Sequence, residues 1–258
     1  MLLAADNLNA LNPIFRDALM RMDPLPIREL VLRCEKAGAH LIDLNPGYLS
    51  KRHEDRMRFL VETVQETTCL RLILDNPNPR ILAAGLSVCR EKPILNALSL
   101  EREKIEGILP LAVEYATDLV ILLMDERSFS PPSADENIAL ALQLTETAVS
   151  AGLTLDRLII DPVLPNMSWD DALFRIAEDI RTIRLLSTPA VFGEPVRTMI
   201  GLSNLRSGIR HRHPFSLEAT CLALLAGAGL GVALADVLQP GFGETFQGIQ
   251  TLVTSHIS

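Results

Sequence analysis

The chain has 258 residues, 48% of them hydrophobic, with 32 acidic against 24 basic side chains and a formal net charge of −8. That is apolar material enough for one buried core without staples, and a negative balance with only 4% aromatics argues against nucleic-acid binding and against a base-stacking surface. Cys34, Cys69, Cys89 and Cys221 form no CxxC pair and sit in apolar stretches, which predicts reduced, mostly buried thiols, and no run reaches membrane-spanning length. The N-terminal MLLAAD lacks a basic flank, so the expected location is cytoplasmic.

In chain order, the first predicted strand is Leu2 to Ala5, stopping at Asp6. The spacing of IRELVLRCEKAGA predicts a helix over 26–37 that ends at Gly38, a natural C-cap. A second strand ends in Asp43-Leu-Asn45-Pro-Gly47, and a charged helix follows from about His53 to Glu66. Leu70 to Leu74 is the third strand; the prolines of Asp75-Asn-Pro-Asn-Pro79 stop it and open a helix over 80–90. After a fourth run ending at Asn96 comes an amphipathic helix from Glu101 to Tyr115, then the fifth run, DLVILLMD, to Asp125. ERSFSPPS (126–133) is the least regular loop, and Ser133-Ala-Asp-Glu136 is a capping box for a helix to about Ser150. LIID ends at Asp161, helices are expected over 169–186 and 216–227, and the last two runs end at Asn204 and Asp236.

Eight short, almost continuous apolar runs are the pattern of parallel strands covered by helices on both faces. At about 32 residues per unit, a strand plus a helix and two loops, the chain is predicted to close into a (β/α)8 TIM barrel, a single α/β domain over residues 1–258. Active sites of such barrels lie at the C-terminal strand ends. Each run here ends in Asp or Asn: Asp6, Asp43, Asp75, Asn96, Asp125, Asp161, Asn204 and Asp236. One such residue alone reads best as a cap or turn former. Eight at one level predict a polar pocket floor for a ligand rich in hydrogen-bond donors. A hard-cation site is the first competitor, but there is no HxH pair and no Glu-rich cluster, so no resident metal is expected. No nucleophile elbow, P-loop or GxGxxG follows a strand; AGAGLG, ending at Gly231, precedes one and reads as a tight connection.

The strings LIDLNPG (41–47), LILDNPN (72–78), Asn96 followed by SLEREKIEGILPLAVEYATDLVILLM (99–124), LIIDPVLPN (158–166), GLSN (201–204) and ALADV (233–237) resemble the pterin-binding methyltransferases. Within them they are most similar to the methyltetrahydrofolate:corrinoid/iron-sulfur protein methyltransferases of anaerobic one-carbon metabolism, along the whole chain and in the same order. The resemblance implies a homodimeric barrel that moves the N5-methyl group between methyltetrahydrofolate and the cobalt of a separate corrinoid protein. The cobalamin would then be supplied by that partner, and tetrahydrofolate would be the substrate. It further implies that Asp75, Asn96 and Asp161 hold the pterin and that Asn204 reaches N5, with Asn204, Asp161 and Asp75 the catalytic candidates. Asp43, Asn9 and Ser203 complete the expected pterin contacts.

The residue types suit that chemistry. A reduced pterin shows an amino group, a ring N–H and a carbonyl along one edge, so carboxylates accept from its donors while amides serve either polarity. A methyl on a tertiary amine leaves only as N5 becomes cationic. An amide does not release a proton near neutral pH, so Asn204 is expected to accept from N5–H⁺, the proton arriving through water or a carboxylate.

The chain departs from the family pattern in three places. Its opening turn, Ala5-Asp-Asn-Leu-Asn-Ala10, keeps Asp6 and Asn9 but lacks the family's two glycines; Ala97 replaces a common Ser; and the segment after GLSN carries Arg206, Arg210, His211, Arg212 and His213. Those arginines are either a solvated loop or contacts for a folate glutamate tail or an acidic partner face. The alternatives are a dihydropteroate synthase-like pterin enzyme, disfavoured because Asn204 stands where that reaction needs a Lys, and a non-catalytic pterin-binding subunit of a methyltransferase assembly.

Overall fold

The computed structural model describes residues 1–49, 53–206 and 213–254. Eight parallel strands pair in chain order, β1 (Leu2–Asn9), β2 (Leu41–Asn45), β3 (Arg71–Asp75), β4 (Ile94–Leu98), β5 (Asp118–Leu122), β6 (Leu158–Asp161), β7 (Arg197–Gly201) and β8 (Val232–Ala235), and β8 closes on β1. The helices around them are α1 (Pro13–Arg21), α2 (Pro24–Lys36), α3 (Glu54–Gln65), α4 (Pro79–Leu86), α5 (Arg102–Glu114), α6 (Ala134–Ser150), α7 (Ala172–Leu186), α8 (Phe215–Gly227) and α9 (Phe242–Thr254). The predicted (β/α)8 barrel is the observed fold, a single domain. Among the described residues no helix is long and apolar enough to cross a membrane.

Strand alternation and barrel stagger sort the inward side chains into layers of four, taken in turn from odd and even strands. The lowest contains Arg71, Asp118 and Arg197, the first residues of β3, β5 and β7. Asp118 Oδ2 accepts from both guanidinium groups at 2.9 Å. Burial pushes the Asp118 carboxyl up, but the two arginines outweigh it and hold the group below the usual carboxylate range. The next two layers are apolar: Leu41, Ile94, Ile159 and Val232, then Ala4, Ile73, Val120 and Met199, one contiguous cluster inside the barrel. A second, larger cluster fills the space between the strands and helices. The interior is therefore solid up to the level where the carboxylates begin.

Local sequence explains the helix starts. Asn12, Asp23 and Asn78 cap α1, α2 and α4, each accepting from backbone N–H groups and each followed by a proline at the first helical position, where its missing N–H costs nothing. Half of the predicted Ser133 box forms: the Glu136 N–H donates to Ser133 Oγ, which caps α6, while the Glu136 carboxylate accepts from that hydroxyl and not from the Ser133 N–H.

Several boundaries differ from the sequence expectation. Two helices, not one, fill the first connection, because Asn12-Pro13 starts α1 within a stretch too short to show a clear period. The first strand runs to Asn9, past a bulge between Ala5 and Leu8. The fourth helix ends at Leu86, not near 90, because Gln65 holds the chain beyond it: its side chain donates to the Val88 carbonyl and accepts from the Arg90 N–H. A turn containing Trp169 precedes α7, and α9 forms from a C-terminal stretch whose glycines obscure its period. Of the cysteines, Cys34 and Cys221 are buried, but Cys69 is exposed and Cys89 half-buried; both lie near the N-terminal end of the barrel, where short connections leave them uncovered.

Candidate active site

Above the apolar layers the interior opens into a cavity of about 300 Å³ at the C-terminal strand ends. Its floor is the next even layer, Asp43, Asn96, Asp161 and Leu234; its lower wall is the next odd layer, Asp6, Asp75, Leu122 and Gly201. All eight follow by steps of two from the apolar positions below them. Six strand ends thus supply polar groups toward the cavity or its wall, counting Asn204 on the short 3-10 turn Leu202–Arg206 that follows β7. The other two expected polar ends do not face it. Asp125 lies three residues past Leu122, out of phase, and accepts from the Arg127 and Phe129 N–H groups in a turn. Asp236 lies beyond the end of β8 and binds Asn7 at 2.6 Å and the Leu238 N–H. For these two the turn-former reading is the correct one.

The expected site residues Asn9, Asp43, Asp75, Asn96, Asp161, Ser203 and Asn204 all line this one cavity. The bulge in β1 changes the strand's phase, which lets both Asp6 and Asn9 reach it. Asn204 lies over Gly201, where a Cβ would stand 3.5 Å from its Nδ2. Asn45, Lys104, Leu122, Met124 and Val163 also line the cavity and were not among the expected contacts. Asn45 could have been found from strand period, two residues past Asp43; it donates to Asp75 Oδ2 at 2.9 Å and accepts from the Gly47 N–H. Lys104 sits in the first turn of α5 with nothing in its local sequence to separate it from its charged neighbours.

The electrostatics are those of carboxyl groups crowded into a dry site. Burial pushes Asp161 up to about 7, with the Val163 N–H bond opposing the rise and Asp75 adding to it. Asp75 stands at about 6, burial outweighing its Asn45 bond, the Lys104 charge and its Asn96 bond. Asp6 is also raised to about 6 by burial, against a bond from Ser203. Asp43, 1% exposed, is raised well above the usual range by burial and then by Asp75 and Asp6, and its Oδ1 has no hydrogen-bond partner among the described residues. Val163 has φ +67, a left-handed conformation that a β-branched residue rarely adopts, and its N–H bonds Asp161 Oδ1 at 2.8 Å. The cavity lining thus combines acidic and amide groups with the apolar side chains of Leu122, Met124, Val163 and Leu234, a mixture that suits a flat heterocycle with a polar edge. Among the described residues no group of three or more His, Cys, Asp or Glu side chains is arranged to hold a metal ion.

Of the basic residues after the seventh strand, Arg206 is 21% exposed and faces Glu218 Oε1 at 3.4 Å and Asp236 Oδ2 at 3.7 Å, so it ties the β7 turn to α8 and β8. Arg210 and Arg212 lie outside the described residues.

Comparison with known proteins identifies relatives in sequence and in fold. A methylcorrinoid:tetrahydrofolate methyltransferase from Eubacterium limosum is 25% identical over 88% of this chain and 82% of its own length. A methionine synthase from Mycobacterium tuberculosis is 23% identical over 85% of this chain, which spans only 19% of that protein. Among solved structures, a dihydropteroate synthase from Xanthomonas albilineans with 4-aminobenzoic acid superposes with a TM-score of 0.69 at 16% identity, covering 99% of this chain and 92% of the other; at that identity the likeness is one of fold. The sequence model of the pterin-binding enzymes matches residues 7–232, and the chain belongs to that family.

Proposed function

We propose that the protein transfers the N5-methyl group between methyltetrahydrofolate and the cobalt of a corrinoid carried by a separate protein. The observation that carries the reading is the gathering of Asp75, Asn96, Asp161 and Asn204 around one cavity. The donor set fits a pterin: carboxylates for its amino and ring N–H groups, an amide for its carbonyl edge, and an apolar face for the ring. The named activity of the Eubacterium limosum relative supports the same reaction class. The dihydropteroate synthases share the barrel, but Asn204 in place of a cation favours methyl transfer.

In this reading Asp75, Asn96 and Asp161 fix the pterin so that N5 faces Asn204. The corrinoid supplies a cobalt nucleophile with an electron pair for the new carbon–cobalt bond. The N5–methyl bond breaks heterolytically, N5 keeps its electron pair, and a proton at N5 neutralises the charge. Asn204 accepts a hydrogen bond from N5–H⁺ and stabilises the charge that the transition state requires. Asp161, buried and titrating near 7, is suited to exchange a proton through water at neutral pH. The corrinoid protein is the partner and the chain works as a cytoplasmic homodimer. Anaerobic mixing of the protein with methyltetrahydrofolate and cob(I)alamin tests the reading: loss of the cob(I)alamin absorbance with formation of methylcobalamin supports it, and an unchanged spectrum counts against it.

A further inference from the structure

Among the described residues that line the cavity, Lys104 is the single cation, set against the four carboxyl groups of Asp6, Asp43, Asp75 and Asp161. It is built into place. Its ammonium is 2.5 Å from Glu101 Oε2, and its side chain is only 16% exposed. Glu101 is in turn held by Ser99 Oγ at 2.8 Å and by Ser128. Burial pushes the Glu101 carboxyl up, but Lys104, Ser128 and Ser99 outweigh it and hold the group at about 2. This anchor holds Lys104, in the first turn of the helix after β4, at the wall of the cavity that Asp75 and Asn96 also line.

We propose that Lys104 is a positioning residue that acts through Asp75: it fixes the cavity's negative charge at the β3 end, where the polar edge of the pterin is recognised. The inference rests on the pterin reading above and adds to it the control of which carboxyl group carries charge. The groups around Asp75 are Asn45 and Asp43 from β2, Asn96 from β4, Asp161 from β6 and Lys104 from α5, with Asp6 facing Asp43 from β1 and Glu101 paired to the Lys104 ammonium. Four of these are acids, and like charges oppose one another's ionisation. Lys104 is the one group there whose charge favours ionised Asp75, and it lowers that carboxyl group while burial raises it to about 6. Asp43, one layer deeper with an unpartnered Oδ1, then keeps its proton and presents an O–H donor to an acceptor atom of the ligand.

The test is binding by the whole protein of 6-methyltetrahydropterin, which has no glutamate tail, measured calorimetrically under anaerobic conditions across pH. Removing a neighbouring positive charge raises a carboxyl pKa, here by about one unit. The ionised fraction of Asp75 at about pH 6 then falls from one half to about one tenth. Lys104→Met should therefore bind about fivefold more weakly than wild type at about pH 6 and equally at about pH 9, and Lys104→Arg should restore the wild-type profile. Superimposed pH profiles for wild type and Lys104→Met would overturn the proposal. So would a deficit that is the same at every pH, or one seen with tetrahydrofolate and absent with the tailless pterin, since either assigns Lys104 to packing or to the tail. Failure of the wild-type protein to bind either compound would remove the pterin reading itself, with the proposal on top of it.

Discussion

Replacing Asp161 by Asn should stabilise the unliganded protein while impairing its site. Asp161 is 4% exposed, and burial raises its carboxyl to about 7 from an ordinary value of 3.8, a difference of about three units. The sign follows from the raised folded-state value: between about pH 4 and pH 7 the folded protein holds a proton that the unfolded chain has released, so stability falls as pH rises through that window and levels off above it. At about 1.4 kcal/mol per unit, ionised Asp161 costs the folded state at most about 4 kcal/mol at pH 8. Asn removes that cost and keeps an Oδ1 to accept from the Val163 N–H. Urea unfolding of wild type and Asp161→Asn between about pH 5 and pH 8 should show the variant more stable at pH 8, by about 1 to 4 kcal/mol, with the two curves converging toward acid. The same variant should bind tetrahydrofolate at least about tenfold more weakly, having lost a charge-assisted acceptor. Parallel stability curves with no gain at pH 8 would refute the argument that burial raises this carboxyl group and makes its ionised form costly to the fold.

Asp75→Ala should also weaken tetrahydrofolate binding by at least about tenfold with the fold intact; unchanged calorimetric affinity would move the site elsewhere, and a loss of about 1 kcal/mol in stability without one in affinity would make Asp75 a structural group. Arg206 is engaged by Glu218 and Asp236, so if the basic segment after β7 steers an acidic partner or a polyglutamate tail, neutralising Arg210 and Arg212 together should slow association with the corrinoid protein and flatten its salt dependence, with the rate toward free cobalamin unchanged. Identical salt profiles would leave the segment as ordinary surface. Arg206→Ala alone should lower thermal stability, by about 1 kcal/mol or more, because its guanidinium is engaged by Glu218 and Asp236.

The barrel and its active face were legible in the sequence because a parallel strand buried on both sides must be apolar until it reaches the mouth, so the first polar residue marks its end. That rule located Asp6, Asp43, Asp75, Asn96 and Asp161, all of which fall on inward phase. It misplaced Asp125, which is out of phase with Leu122, and Asp236, which is in phase with Leu234 but lies past the end of β8 and turns to Asn7 and the Leu238 N–H; the inward residues on these two strands, Leu122 and Leu234, are apolar and therefore silent. Counting by two from a confident core position such as Val120 or Val232 would have found them. Asn9 was expected only through the family resemblance, since strand period alone could not place it without the bulge in β1, and Lys104 needed the direction of α5 relative to β4, a tertiary fact with no local signal. The helix α1 was hidden in a similar way, its cap and proline visible but its apolar face too short to show a period.

The central claim is tested most directly by rapid mixing of wild-type protein and Asn204→Ala with saturating methyltetrahydrofolate and cob(I)alamin, followed by the decay of the cob(I)alamin absorbance. One preorganised polar contact to developing charge is commonly worth roughly 3 kcal/mol. The account therefore predicts transfer by the wild-type protein and a rate constant at least about 10²-fold lower for Asn204→Ala, with methyltetrahydrofolate affinity falling much less. Equal rate constants for the two proteins would contradict the role of Asn204, and no transfer by the wild-type protein would contradict the proposed reaction.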